Sequence, residues 1–392
     1  MDRDSLSLQL GDPVALAQAL IRRPSVTPAD AGAMDLVQGW LEALGFACRR
    51  MPSGGIENLY ARRGGEGPNL CFAGHVDVVP PGAEADWSAA PFGAFVRDGA
   101  LVGRGAADMK GGVAAWIAAA ARTGGAAGPL SLLITGDEEG EALHGTRTVV
   151  ETLRAEGERI DHCLVGEPTS VSALGDMVKV GRRGSFYATI TVEGVQGHVA
   201  YPHRAANPVP VLVALCHRLA TGRLDEGYPE FQASNLELTD LEVGNPTRNL
   251  IPAKASAKLS IRFNPNWTGA KLHAWLQAAC DAAGGEFAGT IRLESRTSGE
   301  AFFTGRGPFT SLVAEAVREA TGVEPELSTS GGTSDARFIR ALCPVVEFGL
   351  VGATMHKVDE RVPLADLETL TQVYAALIGR YHSTFAEAGA TA

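Results

Sequence analysis

The sequence predicts an α/β protein with a smaller α+β domain inserted into it, and three observations carry that reading. Short apolar runs alternate with helical patterns over the first 181 residues; from Arg182 the strand-like stretches alternate apolar with polar side chains; near the C-terminus the first character returns. The chain's 392 residues exceed the length over which one hydrophobic core keeps growing, so two domains are expected. Their boundaries fall at 1–181 and 298–392 for the larger domain and 182–297 for the insert.

Asp30–Phe46 has apolar residues at helical spacing, with Asp30 as N-cap and Gly45 near the stop. Apolar runs at Leu70–Ala73, Leu130–Thr135 and Cys163–Val165 read as buried strands of one sheet, with an alanine-rich helix from about Gly111 to Arg122 between the first two. Ser185–Val195, Ala253–Phe263 and Thr290–Ser295 alternate, which predicts strands with one wet face. Helical patterns over Val209–Ala220 and Ala270–Ala283 interleave with them, and the order strand, helix, strand, strand, helix, strand is ferredoxin-like. Phe309–Thr321, Val345–Phe348 and Leu364–Tyr381 close the chain as helix, strand and helix. There is no internal repeat and no low-complexity linker.

Composition narrows the function classes. A net charge of −11 argues against nucleic acid and anionic membrane as partners, because both require a basic footprint. The six cysteines are scattered, without a C-x-x-C pair, and read as buried thiols in a reducing compartment. Met1–Leu10 lacks a basic stretch leading into an apolar one, and no later run has the length to span a bilayer, so a soluble cytoplasmic protein is expected.

Four short motifs each follow an apolar run: Gly74-His75-Val76-Asp77, Gly105-Ala106-Ala107-Asp108, Gly136-Asp137-Glu138-Glu139 and Gly166-Glu167-Pro168. If the runs are strands of one sheet, their carboxyl ends deliver a histidine or an acid to the edge where open α/β sheets bind ligands. His356, beyond the strand Val345–Phe348, is a fifth candidate. Any one of these acids alone reads as surface or helix cap; together they form a donor set. Imidazoles with several carboxylates suit zinc, and the count exceeds what a single catalytic ion with an open position takes.

Two ions about 3.5–4 Å apart fit better, with one carboxylate bridging them. Asp108 is the expected bridge. The Asp77 carboxylate is expected to take the second ring N–H of His75 and fix its tautomer. Glu138 and Glu139 are neighbours that point apart, so one can bind metal while the other stays free as a base. Neither G-x-G-x-x-G nor a P-loop is present at Gly103–Gly112, which excludes a nucleotide loop there. His144, His162, His217, His273 and His382 lack acidic partners at useful spacing and read as ordinary residues.

The runs GHVDVVP at Gly74–Pro80, GRGAADMKGG at Gly103–Gly112, TGDEEG at Thr135–Gly140 and GEPT at Gly166–Thr169 resemble the zinc peptidase and deacylase family that includes acetylornithine deacetylase, aminoacylase and carboxypeptidases. Further segments (GRRGS at Gly181–Ser185, VQGHVAYPH at Val195–His203, NLIPA at Asn249–Ala253, SGGTSDARF at Ser330–Phe338, TMHKVDE at Thr354–Glu360) narrow the resemblance. They are similar to the members that remove a succinyl group from diaminopimelate, a small, multiply charged amino acid.

The resemblance implies a zinc-peptidase-like mixed sheet flanked by helices, the insert serving as lid and dimerisation domain. It implies two zinc ions per subunit, with cobalt able to substitute. His75 and Glu167 would hold one ion and Glu139 and His356 the other, with Asp108 bridging and Glu138 as general acid/base. A cis peptide bond after Asp108 is implied as well. So is a homodimer in which His198 reaches the partner's site to help hold the oxyanion. Arg183 and Arg262 are the implied carboxylate clamps, since a planar guanidinium suits that task. Tyr201, Ser185, Asn249, Gly332 and Thr333 complete the implied substrate pocket. Two departures from the pattern touch that pocket: Arg248 and Gly352 stand where some relatives carry asparagine. The nearest alternative is a sister deacylase acting on another acyl amino acid; a metal-binding relative without activity is a further one.

Overall fold

The computed structural model describes residues 10–124 and 128–386; the segment read above for a leader lies outside them except for Leu10. The chain divides into two compact units. One comprises Met1–Gly181, Thr304–Ser328 and Ser334–Ala392, the other Arg182–Phe303 and Thr329–Thr333. The boundary expected at 297 therefore moves to 303, because the strand Thr290–Gly299 keeps pairing past that point, with Gly299 opposite Ser185. Thr329–Thr333 joins the second unit, where the Thr329 hydroxyl donates to the Glu230 carbonyl.

The first unit is built on an eight-stranded mixed sheet. Its spatial order is Ala47–Arg50, Asn58–Arg63, Leu130–Thr135, Leu70–His75, His162–Val165, Val345–Glu347, Met177–Lys179, Glu326–Ser328. The central strands Leu130–Thr135, Leu70–His75, His162–Val165 and Val345–Glu347 run parallel. Their residues are buried almost throughout, as the unbroken apolar runs require of strands covered on both faces. The helix Gly111–Thr123 is buried from Gly111 to Ala121, and its Trp116 ring lies 5.3 Å from that of Phe72. Each such large side chain contributes roughly 1.5–3 kcal/mol by leaving water.

Two glycines start this helix for steric reasons. A Cβ at Gly111 would stand 2.4 Å from the Ala106 carbonyl oxygen, and one at Gly112 would stand 2.7 Å from that of Gly166. The turn carrying Asp108 is thereby pressed against the segment carrying Glu167.

The N-terminal helical pattern begins later than expected, at Ala33–Ala43, with Gly32 at the cap position. Asp30 acts from outside it, its carboxylate accepting from the backbone of Gly32 and Met34. Among the described residues no helix is long and apolar enough to cross a membrane. The cysteines are all free thiols, five of them buried.

In the second unit the strands Gly184–Glu193, Asn235–Glu242, Lys254–Phe263 and Thr290–Gly299 form an antiparallel sheet, with Asn235–Glu242 and Thr290–Gly299 at its edges. The helices Pro208–Thr221 and Gly269–Gly284 pack their apolar faces on one side of it, through residues such as Leu212, Leu276, Ile190 and Ile261. In chain order the elements run strand, helix, strand, strand, helix, strand.

Candidate metal centre

Five donors converge within the first unit: four follow strands that end at one edge of the eight-stranded sheet, whereas Asp108, against expectation, follows Ala100–Val102 of a separate three-stranded sheet. His75 is the last residue of Leu70–His75, Glu139 follows Leu130–Thr135, Glu167 follows His162–Val165, and Asp108 lies just before the helix at Gly111. His356 comes from the loop after Val345–Glu347. Asp108 lies between the two imidazoles and gives one carboxylate oxygen to each. Oδ1 is 3.2 Å from His75 Nε2, and Oδ2 is 3.3 Å from His356 Nε2. Glu167 Oε1 stands 4.0 Å from His75 Nε2, and Glu139 Oε1 is 2.9 Å from His356 Nε2. Two groups able to hold a metal ion result, His75–Asp108–Glu167 and Asp108–Glu139–His356, which share Asp108.

The electrostatics of the cluster follow from those contacts. Burial pulls the His75 imidazole down, but its bond to Asp108 and the charges of Asp77 and Glu167 carry it well above its ordinary value. His356 is pushed up to about 10 by its bonds to Asp108 and Glu139. Burial would raise Asp108, yet the bonds to His356 and His75 hold its carboxyl well below the usual range. Acids outnumber imidazoles here, so the cluster favours positive charge on or between its histidines. A site that recruits cationic charge in this way, from nitrogen and oxygen donors, has the chemistry of a divalent-cation site.

Glu138 belongs to neither group. Loss of solvation first, and then the negative charges of Glu167 and Asp335, push its carboxyl well above the ordinary value, as befits a proton carrier. Asp77 departs from expectation. His75 Nδ1 meets the backbone carbonyl of Asp77 at 2.9 Å, while the Asp77 carboxylate stands off at 3.6 Å. That carboxylate instead accepts the Thr27 hydroxyl at 2.6 Å and the backbone N–H groups of Glu138 and Glu139. The backbone carbonyl, two residues along the same strand end, takes the ring N–H, and the carboxylate is left to hold the Glu138–Glu139 turn. The Asp108–Met109 peptide is cis.

Three groups around the site, half-buried Thr27 and buried Lys110 and Glu360, escape a reading of the sequence. Lys110 donates to the Arg23 carbonyl at 2.7 Å, and burial lowers it to about 7 against the pull of Asp77. The third is Glu360, whose carboxylate accepts from Arg104 and from the backbone of the Asp108 turn. A lone lysine or glutamate such as Lys110 or Glu360 carries no sequence pattern that marks it as buried.

The remaining candidates lie in the second unit. Arg262 Nη1 donates to Ser185 Oγ at 2.5 Å and Nη2 to the Tyr187 hydroxyl at 3.3 Å; Ser185 faces Arg262 across the strands. Arg183 Nη1 donates to Asn235 Oδ1 at 2.9 Å, and burial together with the charge of Arg262 lowers its pKa. His198 pairs with Leu250 in a two-stranded ladder, which places it beside exposed Asn249, whose carbonyl accepts from Val199 N–H. Its Nδ1 accepts from Ala200 N–H at 3.1 Å, leaving Nε2 as the ring's donor. Tyr201 is exposed, its ring centroid 5.7 Å from that of His198. The Gly332 carbonyl, next to half-buried Thr333, accepts from Arg182.

Fold and donor set define a class: an α/β protein whose sheet edge can hold two metal ions around a shared carboxylate. Residues 71–380 match the peptidase family M20/M25/M40, and the chain belongs to that family. It is 63% identical over 375 residues to the succinyl-diaminopimelate desuccinylase of Caulobacter vibrioides, covering 96% of this chain and 97% of the relative. The enzyme of that name from Phenylobacterium zucineum is 64% identical over 373 residues, covering 94% and 98%. Solved structures agree in fold. An M20 family metallo-carboxypeptidase from Sulfolobus solfataricus superposes with a TM-score of 0.76 at 17% identity, covering 95% of this chain and 99% of that one. A dinuclear metal binding peptidase of the M20 family from Bacillus subtilis gives 0.73 at 15% identity, covering 97% and 99%.

Proposed function

We propose that this chain hydrolyses N-succinyl-LL-2,6-diaminopimelate to succinate and LL-2,6-diaminopimelate. The observation that carries this reading is the shared carboxylate between two histidines, in a chain 63% identical over 96% of its length to a named desuccinylase. His75, Asp108 and Glu167 would hold one zinc ion and Asp108, Glu139 and His356 the other. Bound there, the pair would supply Lewis-acid polarisation of the amide carbonyl and would acidify a water.

The chain's own residues do the rest. Glu138, with its raised pKa, takes the water's proton and returns it to the departing amine. Asp77 keeps Glu138 in place through the two backbone N–H groups it holds. Among the described residues, neither Arg183 nor Arg262 is paired with a carboxylate; their partners are Asn235, Ser185, Ser260 and Tyr187. Two close guanidiniums among neutral oxygens suit the carboxylates of the substrate. Ser185, Tyr201, Asn249, Gly332 and Thr333 are assigned to the same pocket. His198, with Nε2 free to donate, is assigned to the oxyanion from the partner copy of a cytoplasmic homodimer.

The test compares hydrolysis of N-succinyl-LL-2,6-diaminopimelate and N-acetylornithine by the zinc-loaded protein. Strong preference for the succinyl compound is expected. Preference for the acetyl compound transfers the reading to a sister deacylase, and inertness toward both removes it.

A further inference from the structure

The two loops that bring Asp108 and His356 together are far apart in sequence, and one buried carboxylate ties them. Glu360 is fully buried, four residues beyond His356. Its Oε2 accepts from Arg104 Nη1 at 2.6 Å and from Gly105 N–H at 3.1 Å. Its Oε1 accepts from Ala107 N–H at 2.9 Å and from the N–H of Asp108 itself at 3.1 Å. Arg104, also buried, closes the loop from the other side by donating to the Lys357 carbonyl next to His356. The backbone joins in, with Gly103 N–H donating to the Glu360 carbonyl at 2.9 Å.

We infer that Glu360 is a positioning residue that sets the spacing between Asp108 and His356, and so selectively fixes the affinity of the ion held by Asp108, Glu139 and His356. A buried carboxylate with four N–H donors is a rigid fixture, since moving either loop would strand charge without solvent. The His356 loop needs such a fixture. His356 has φ of 60° and Asp359 of 55°, a conformation that residues with a Cβ resist and keep only where the surroundings enforce it. His75 ends Leu70–His75 and Glu167 lies two residues beyond the parallel neighbour His162–Val165, so the spacing of these two follows the sheet ladder, and the ion they would hold depends on the Glu360 fixture only through the shared Asp108. Outer partners of metal ligands commonly change metal affinity by about 10–100-fold. In Glu360→Gln an amide NH2 would face backbone N–H groups; Arg104→Lys keeps the charge but loses the fork.

This inference rests on the two-ion reading above, and calorimetric titration of the stripped full-length chain with zinc separates the two. Wild type should bind two ions. The Glu360→Gln variant should bind one with an affinity within about threefold of wild type and the other about 10–100-fold more weakly, with Arg104→Lys intermediate. Should Glu360→Gln fail to fold, Arg104→Lys carries the same test, with one ion selectively weakened about tenfold. Cobalt-loaded variants should show the altered absorption of one site only. A variant that lowers the thermal midpoint of the stripped protein while leaving the ratio of the two affinities unchanged overturns the positioning role. Wild type that binds no ion overturns the two-ion reading itself.

Discussion

The two units treat charge in opposite ways. In the first, carboxylates crowd a sheet edge and the two histidines among them hold protons far more tightly than usual, so the site calls for cations. In the second, Arg183 and Arg262 stand close together with hydroxyl and amide partners, so that site calls for anions. Each feature is electrostatically incomplete alone. From that contrast we propose a division of labour, in which bond cleavage would fall to residues of the first unit and recognition to residues of the second.

The sharpest way to break that division is Glu138→Gln. The amide keeps the size but cannot carry the proton, so kcat should fall roughly 10²–10⁴-fold while zinc content is unchanged. Wild-type turnover in that variant removes Glu138 from the reaction. A smaller effect is expected from Arg262→Lys, which keeps the charge and loses the planar fork toward a carboxylate. KM should rise about tenfold with kcat nearly constant, because binding lost equally in ground and transition states leaves kcat alone. A fall in kcat matching that of Glu138→Gln would dissolve the distinction between the units.

Much of the first unit is legible in the sequence for a physical reason. Strands buried on both faces are apolar throughout, so a histidine or acid at the end of Leu70–His75 or after Leu130–Thr135 stands out against its run. Legibility ends where a residue's role depends on what faces it. The Asp77 carboxylate and carbonyl are equally plausible partners for His75 from the sequence, and only the strand-end geometry selects the carbonyl. Glu360 reads as one more acid in a polar segment, although it is fully buried.

The second unit shows the same limit in its strands. Asn235–Glu242 begins with Leu236 and Leu238 alternating against the core, but a register shift between Leu238 and Asp240 breaks the period of two, so that Leu241 rather than Asp240 stands opposite buried Ala257. The short strands Ala47–Arg50 and Asn58–Arg63 are equally hard to read, because their arginines serve salt bridges on a sheet edge.

The central claim, a two-ion centre built around Asp108, is tested most directly by titrating the metal-stripped protein with zinc at pH 7 in buffers of different ionisation heat. Hydrolysis of the succinyl substrate is followed at each addition. Metal needs neutral imidazoles, and His356 holds its proton up to about 10, with His75 also raised. Binding should therefore release about two protons, and affinity should climb as pH rises from 7 toward 10. Two ions should bind, with activity returning as the second site fills. Full activity in the stripped protein, or binding without proton release, would contradict the account.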